Sequence, residues 1–311
     1  MPTRLEVTKT HKLFIGGLFP RSESGRSMAI TAASGETLAH LCLASRKDLR
    51  DAVLAARNAQ PGWASRSAYN RGQVLYRLSE MLEGRKKEFQ DALAAASDAP
   101  DTSAKPRPTR KKNASRRPDR PLPPAREVEA AIDRLVAYAG WADKYAQTLG
   151  CNNAVNGPFY NFTVPEPTGV VGVVAPDELP LLALVSLIAP ALCAGATIVA
   201  LAGQTNPIPT CLLGELCATS DVPPGVANLL TGRRDELIPH FASHRDIDAL
   251  HAANLTTEQA VTLRAGAADN VKRVTVRTLA PADWLDPQLC EGPWWIERFV
   301  EMKTIWHPAA S

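Results

Sequence analysis

Apolar and polar positions repeat along this chain with two different periods. After a short β-rich start, Ser45 and Asp48 form a capping-box pattern, and Leu49, Ala52, Val53, Ala56 and Ala59 then share one helical face. Pro61-Gly62 predicts the end of that helix. From about Tyr69 a second helix turns Val74, Leu75, Leu78, Met81, Leu82 and Phe89 inward. A third, from Glu127, buries Val128, Ile132, Leu135, Tyr138, Ala142 and Tyr145 and stops at Gly150.

Beyond Gly150 the period shortens. Phe159 to Val164 alternates as a strand, and Gly169 to Ala175 is a continuous apolar run suited to burial on both faces. Leu179 to Gly203 holds 25 residues without a charge, long enough to raise the question of a membrane span. Pro180 and Pro190 interrupt it, however. Ala194-Gly195 before the β-branched Thr197-Ile198-Val199 reads instead as a helix end, a turn and a core strand. A helix from Pro209 to Thr219, a Pro223-Pro224-Gly225 turn and a strand from Val226 to Leu230 follow. Strands alternating with helices predict an α/β fold on a parallel sheet, with no membrane partner.

Composition changes this picture in one place. At 311 residues and 45% apolar the chain can bury a substantial core. Between Lys105 and Arg126, however, nine basic residues face one acid, Asp119, so that stretch carries +8 and leaves −5 for the rest of a +3 chain. The basic total therefore implies no general affinity for nucleic acid; only the insert 105–126 could supply one. Ser97 to Pro124 has seven prolines and Leu122 as its sole large apolar side chain, which cannot offset the entropy of ordering. Residues 97–126 are expected to be a disordered insert. A solvated linker, a polyanion-binding arm without interleaved aromatics, and text left by two compensating frameshifts all fit that composition. It divides the chain into 1–96, 97–126, 127–274 and a C-terminal segment, 275–311.

The six cysteines (Cys42, Cys151, Cys193, Cys211, Cys217, Cys290) form no CxxC pair, and the histidines do not join them at ligand spacings, so no metal site is expected. The start, Met1 to Gly17, lacks a secretory apolar run, which predicts reduced thiols in a cytoplasmic setting. Cys151, Cys193, Cys211 and Cys217 read as small buried hydrophobes.

The order of several segments resembles the aldehyde dehydrogenase family. The stretches that carry the likeness are Lys12-Leu-Phe-Ile-Gly-Gly17, Ala139-Gly-Trp-Ala-Asp143, Gly157-Pro-Phe-Tyr-Asn161, Glu166-Pro-Thr-Gly-Val-Val-Gly172, Ile188-Ala-Pro-Ala-Leu192 and Pro224-Gly-Val-Ala-Asn-Leu-Leu-Thr-Gly232. The resemblance implies a Rossmann-like NAD-binding domain with oligomerisation strands, here 158–165 and 299–306. The tail Phe299 to Pro308 resembles the family's last assembly strand, so the chain looks like a member whose catalytic domain is missing.

The departures fall at the chemistry. Where the family has Pro-Trp-Asn-Phe-Pro, this chain has Pro176-Asp177-Glu178-Leu179-Pro180, and Glu178 stands where a neutral oxyanion donor belongs. The family's Lys-Pro-x-Glu, which holds the adenosine ribose, aligns with Leu201-Ala202-Gly203-Gln204. Losing two charge-assisted contacts would weaken NAD roughly 10²–10⁴-fold. The phosphate loop reads Thr231-Gly232-Arg233-Arg234-Asp235-Glu236-Leu237-Ile238, with Arg234 and Ile238 at glycine positions. Ala252-Ala253-Asn254-Leu255 replaces Phe-Thr-Gly-Ser, and Thr275 to Pro281 contains no Glu-Leu-Gly-Gly-Lys.

Cys290, after Gln288-Leu289, and Glu178 are the only catalytic candidates, and Pro176, Gly232, Arg233 and Arg234 are vestiges of a cofactor site. The leading expectation is a pseudoenzyme that requires no cofactor. It would join a full-length aldehyde dehydrogenase subunit or a copy of itself through Phe159–Val164 and Phe299–Trp306, since unpaired strand edges invite partners. Trp284, Trp294, Trp295 and Trp306 would either cover the sheet edge or form a partner-facing hot spot. The alternatives are an NAD(P)-dependent oxidoreductase acting on aldehydes and a weak nucleotide-binding module using Arg233 and Arg234.

Overall fold

The computed structural model describes residues 7–32, 34–97 and 122–309. It opens with a small sheet of β1 (Thr10–His11), β2 (Ser27–Thr31) and β3 (Thr37–Cys42), in which β3 is central, parallel to β1 and antiparallel to β2. Helix α1 (Arg46–Ala64) starts on the predicted capping box: Ser45 Oγ accepts the Asp48 N–H at 3.3 Å, and Asp48 Oδ2 accepts the Ser45 N–H at 2.7 Å. It does not stop at Pro61-Gly62. Pro61 lies in the last turn, where its missing N–H removes a single helical bond, and buried Trp63 anchors that turn by donating Nε1 to the Leu192 carbonyl at 3.1 Å.

The second predicted helix is two helices, α2 (Ala68–Gly84) and α3 (Lys86–Ser97), because Arg85 leaves helical geometry after Gly84. Phe89 therefore belongs to α3, still in the core. The insert expected to be disordered lies, over 98–121, outside the described residues. Helix α4 (Pro124–Trp141) begins at Pro124 rather than Glu127, since a proline in the first turn gives up only an N–H that has no helical partner. Its predicted last turn is a separate short helix, α5 (Tyr145–Leu149), capped by Gly150.

There follow β4 (Cys151–Asn153), β5 (Phe159–Pro167), β6 (Val170–Val174), α6 (Leu182–Ala194), β7 (Thr197–Leu201), α7 (Ile208–Thr219), β8 (Ala227–Leu230), α8 (Arg234–Ser243), β9 (Ala249–Ala253), α9 (Thr257–Ala268), β10 (Arg273–Arg277), α10 (Pro287–Cys290), α11 (Pro293–Ile296) and β11 (Val300–Pro308). The uncharged run is a buried helix and a core strand: Gly195, at φ +95°, closes α6 with two backbone bonds no β-carbon-bearing residue would make as easily. Among the described residues no helix is long and apolar enough to cross a membrane.

The main sheet runs β10-β9-β6-β7-β8, with all neighbours parallel. From β6 the chain builds outward through β7 and β8, then returns to the other flank for β9 and β10. The order thus reverses between β6 and β9, and the carboxyl ends of those strands form the crevice where such sheets bind ligands. Every residue of β6, β7 and β9 is buried.

The strand expected at 158–165 spans Phe159–Pro167, and its expected partner at 299–306 spans Val300–Pro308. The two pair with each other, antiparallel from Val300↔Pro167 to Pro308↔Phe159, in a sheet ordered β11-β5-β4.

Candidate functional site

At the carboxyl end of β6, β7 and β8, three loops bind one another. The Asp177 carboxylate accepts the Gln204 N–H at 2.6 Å and the Thr205 N–H at 3.2 Å. It also takes both ends of the Arg234 guanidinium, Nη1 at 2.7 Å and Nη2 at 2.9 Å, while Nη2 donates to the Ala175 carbonyl at 2.7 Å as well. The Gln204 Oε1 accepts the Arg234 backbone N–H at 2.8 Å, which occupies the leading amide of α8. Pro176 crosses so close to Gly203 that a β-carbon there would sit 2.4 Å from the Pro176 carbonyl oxygen. A β-carbon on Gly232 would strike the Leu237 side chain at 2.8 Å.

These contacts decide what the crest can hold. A pyrophosphate at a helix start needs free N–H groups and close backbone approach. Here one amide is capped by Gln204, Asp235 and Glu236 place two carboxylates in the first turn, and buried Arg234 has its charge answered by Asp177. The expectation that Arg234 would attract phosphate is therefore corrected: its guanidinium is an internal strut. Arg233 stays exposed, 3.8 Å from Glu236. Pro176 and Gly232 shape backbone only. The residues present do not fit a dinucleotide in the manner the resemblance implies.

At the switch point itself, Glu178 meets Asn254. Asn254, at φ +50°, donates Nδ2 to Glu178 Oε2 at 3.3 Å and to the Leu279 carbonyl at 3.0 Å, and its Oδ1 accepts the Leu279 N–H at 2.9 Å. Leu179, following Glu178, also has φ +50°. The loop thus presents an acid where an oxyanion would require a donor. Cys290 is buried, and its thiol points to the Asp283 carbonyl at 3.3 Å, a group that cannot take its proton. Burial pushes that thiol's pKa up, which disfavours the nucleophilic thiolate. The second catalytic candidate is a packed side chain.

Other groups at this end are absent from the sequence-level candidates. Arg134 on α4, 1% exposed, donates Nη1 to Ser186 Oγ at 2.6 Å, Nη2 to the Trp284 carbonyl at 2.7 Å and Nε to Glu291 at 3.2 Å. Tyr138, one turn on, donates to the Cys290 carbonyl at 2.7 Å. Together they fasten residues 284–291 over α4 and α6. His251 on β9 is fully buried; its Nδ1 lies 3.0 Å from the Leu187 carbonyl and its Nε2 accepts Arg277 Nε at 2.8 Å. That pairing requires the neutral ring with its proton on Nδ1, and burial, with Arg277 beside it, holds the pKa down at about 3. The Arg277 guanidinium lies 3.4 Å from the centroid of the Trp295 ring. Arg134 was legible as a charge on the apolar stripe between Ala131 and Tyr138; His251 and Arg277 carried no such signal.

The tryptophans separate. Trp284 and Trp295 are buried, whereas Trp294 and Trp306 are 62% and 58% exposed. Cys193, Cys211 and Cys217 are buried as expected, but Cys151 is exposed on β4, because that strand is the sheet's edge. Among the described residues no group of three His, Cys, Asp or Glu side chains is placed to hold a metal ion.

Comparison with known proteins places this geometry. The model of the aldehyde dehydrogenase family matches residues 19–108 and 123–278. Retinal dehydrogenase 2 of Gallus gallus is 32% identical over 276 residues, covering 88% of this chain and 49% of that protein. An aldehyde dehydrogenase family 2 member B4, mitochondrial, of Arabidopsis thaliana is 31% identical, over 88% of this chain and 47% of its own length. The fold superimposes on an NAD+ complex of aldehyde dehydrogenase from Bacillus cereus with a TM-score of 0.74 at 24% identity, covering 87% of this chain and 51% of that one. The chain spans about half the length of the relatives it matches. It belongs to the aldehyde dehydrogenase family.

Proposed function

We propose that this chain is an aldehyde dehydrogenase-like pseudoenzyme, without dehydrogenase chemistry of its own, that assembles with an intact aldehyde dehydrogenase subunit through the β11-β5-β4 sheet. The observation that carries the reading is the Arg234–Asp177–Gln204 network. It spans the crest where a dinucleotide would have to lie, so the nucleotide domain of the family is retained as a scaffold. The packed thiol of Cys290 and the acid at Glu178 support the same conclusion. Assembly is supported by the outer edge of β11, a nine-residue strand with no neighbouring strand on that side among the described residues, which exposes Met302 and Trp306 beside Phe159 of β5. An edge of that length and character favours a partner over solvent.

The test is a mixing experiment. The purified chain, combined with an intact aldehyde dehydrogenase, is expected to elute with it and to form no NADH from short aldehydes alone. Elution as a monomer that ignores the dehydrogenase would remove the assembly role. NADH formation by the isolated chain, lost on C290S, would remove the pseudoenzyme reading.

A further inference from the structure

Arg277 is half-buried and differs from the three buried arginines, of which Arg71 gives its guanidinium to the Cys193, Ala64 and Arg66 carbonyls and the Tyr145 hydroxyl. Arg134 and Arg234 each have a carboxylate within 3.2 Å, from Glu291 and Asp177. Arg277 has none among the described residues. Its Nε is taken by His251, which is neutral, and its face is stacked on Trp295. Its two Nη groups, four N–H donors, have no acceptor among the described residues. The neighbouring charge that acts on it is Arg298, exposed and likewise without an ion pair among the described residues, which adds repulsion rather than relief.

A cation held this way is costly. Partial burial removes water from the guanidinium, and no counter-ion replaces it. At the same time its orientation is fixed at three points. The Leu187 carbonyl sets the His251 ring, the ring sets Nε, and Trp295, itself tied by Nε1 to the Leu289 carbonyl at 2.7 Å, sets the plane. A planar fork with its terminal donors free is the arrangement that recognises an oxyanion through two parallel hydrogen bonds. The orientation is established before any ligand arrives, so little side-chain entropy is lost on binding.

The geometry points to an oxyanion-binding site at the carboxyl end of β10, formed by Arg277 and reinforced by Arg298, that takes a carboxylate or phosphate group. It does not depend on assembly with another subunit.

Trp295 supplies the reporter, since an anion on the guanidinium alters the field at the stacked ring. Acetate and inorganic phosphate are each titrated into the full chain against chloride at constant ionic strength, following tryptophan emission and the thermal midpoint. A saturable change in both readouts is expected with at least one of the two, and which one responds identifies the source of the oxyanion. R277Q is expected to weaken the apparent affinity about 10- to 100-fold, the value of a charge-assisted pair. R298Q, at an exposed position that folding tolerates, is expected to weaken it about 2- to 5-fold. No saturable response to either anion overturns the site, as does a response that both R277Q and R298Q leave unchanged. Should R277Q not fold, an R298Q affinity equal to that of the parent chain overturns it alone.

Discussion

Two arginines at the same end of one sheet have opposite surroundings. On the β6-β7-β8 side, Arg234 sits between Asp177, the Ala175 carbonyl and Gln204, and its charge is matched within the protein. On the β9-β10 side, Arg277 has a neutral imidazole and an aromatic face but, among the described residues, no carboxylate. The first has closed the crest where the family resemblance placed a phosphate; the second leaves donors free where the sequence suggested nothing. Departure from a family motif and availability of a charge are therefore separate questions at this crest. What matters is whether the charge has an internal partner.

The largest effect expected from breaking this contrast is at Arg234. R234M removes three hydrogen bonds and leaves Asp177 without a counter-ion, which costs about 3–5 kcal/mol when a buried pair is broken. Urea unfolding should show it directly, and the change should shrink in the D177N background because the pair acts as a unit. A cost under about 1 kcal/mol would mean that the network does not hold the three loops together.

Glu127 sharpens the comparison from the anionic side. It is buried with no cation paired to it among the described residues, and its Oε1 accepts the N–H groups of Leu181 at 2.9 Å and Leu182 at 3.2 Å, capping the head of α6 from α4. Burial raises its pKa from 4.5 to about 7, against the opposing pull of those two N–H groups. The folded state therefore binds more protons than the unfolded chain between those values, so stability falls as pH rises from 4.5 and levels off above about 7. The gap corresponds to roughly 3 kcal/mol. E127Q keeps the acceptor and removes the charge. It is expected to match the parent chain near pH 4.5 and exceed it by up to that amount at pH 8. Parallel pH profiles for the two proteins would refute the assignment.

Much of this was legible in the sequence. The uncharged run from Leu179 to Gly203 has one solution as helix, left-handed glycine and strand, because each part has its own period and punctuation. The capping box at Ser45 and the parallel sheet followed from the same local rules. Pro61 and Arg85 misled in opposite directions: one helix continues because Trp63 anchors it from outside, another breaks where no proline marks it. The candidate site was legible only as absences. That Arg234 would turn inward depends on Asp177, 57 positions away in the chain. The state of Arg277 depends on Trp295 and His251 from two further segments. Such pairings are set by the fold, and no local pattern announces them.

The smallest expected effect belongs to Arg277, and it decides the comparison. R277M loses the bond to His251 Nε2, about 1–3 kcal/mol if that nitrogen is left without a donor, and a stacked cation worth up to about 2 kcal/mol. Against this, it relieves a partly buried charge that no described residue neutralises, and the thioether can pack on the Trp295 ring for about 0.3–1.5 kcal/mol. These terms oppose one another, so in chloride R277M is expected to unfold within about 1 kcal/mol of the parent chain, well short of R234M. An anion that binds at Arg277 stabilises only the parent, so the gap between the two should widen as it is added. A loss in chloride as large as that of R234M would show that Arg277 already has its counter-ion inside the protein, and the two sides of the crest would then be alike.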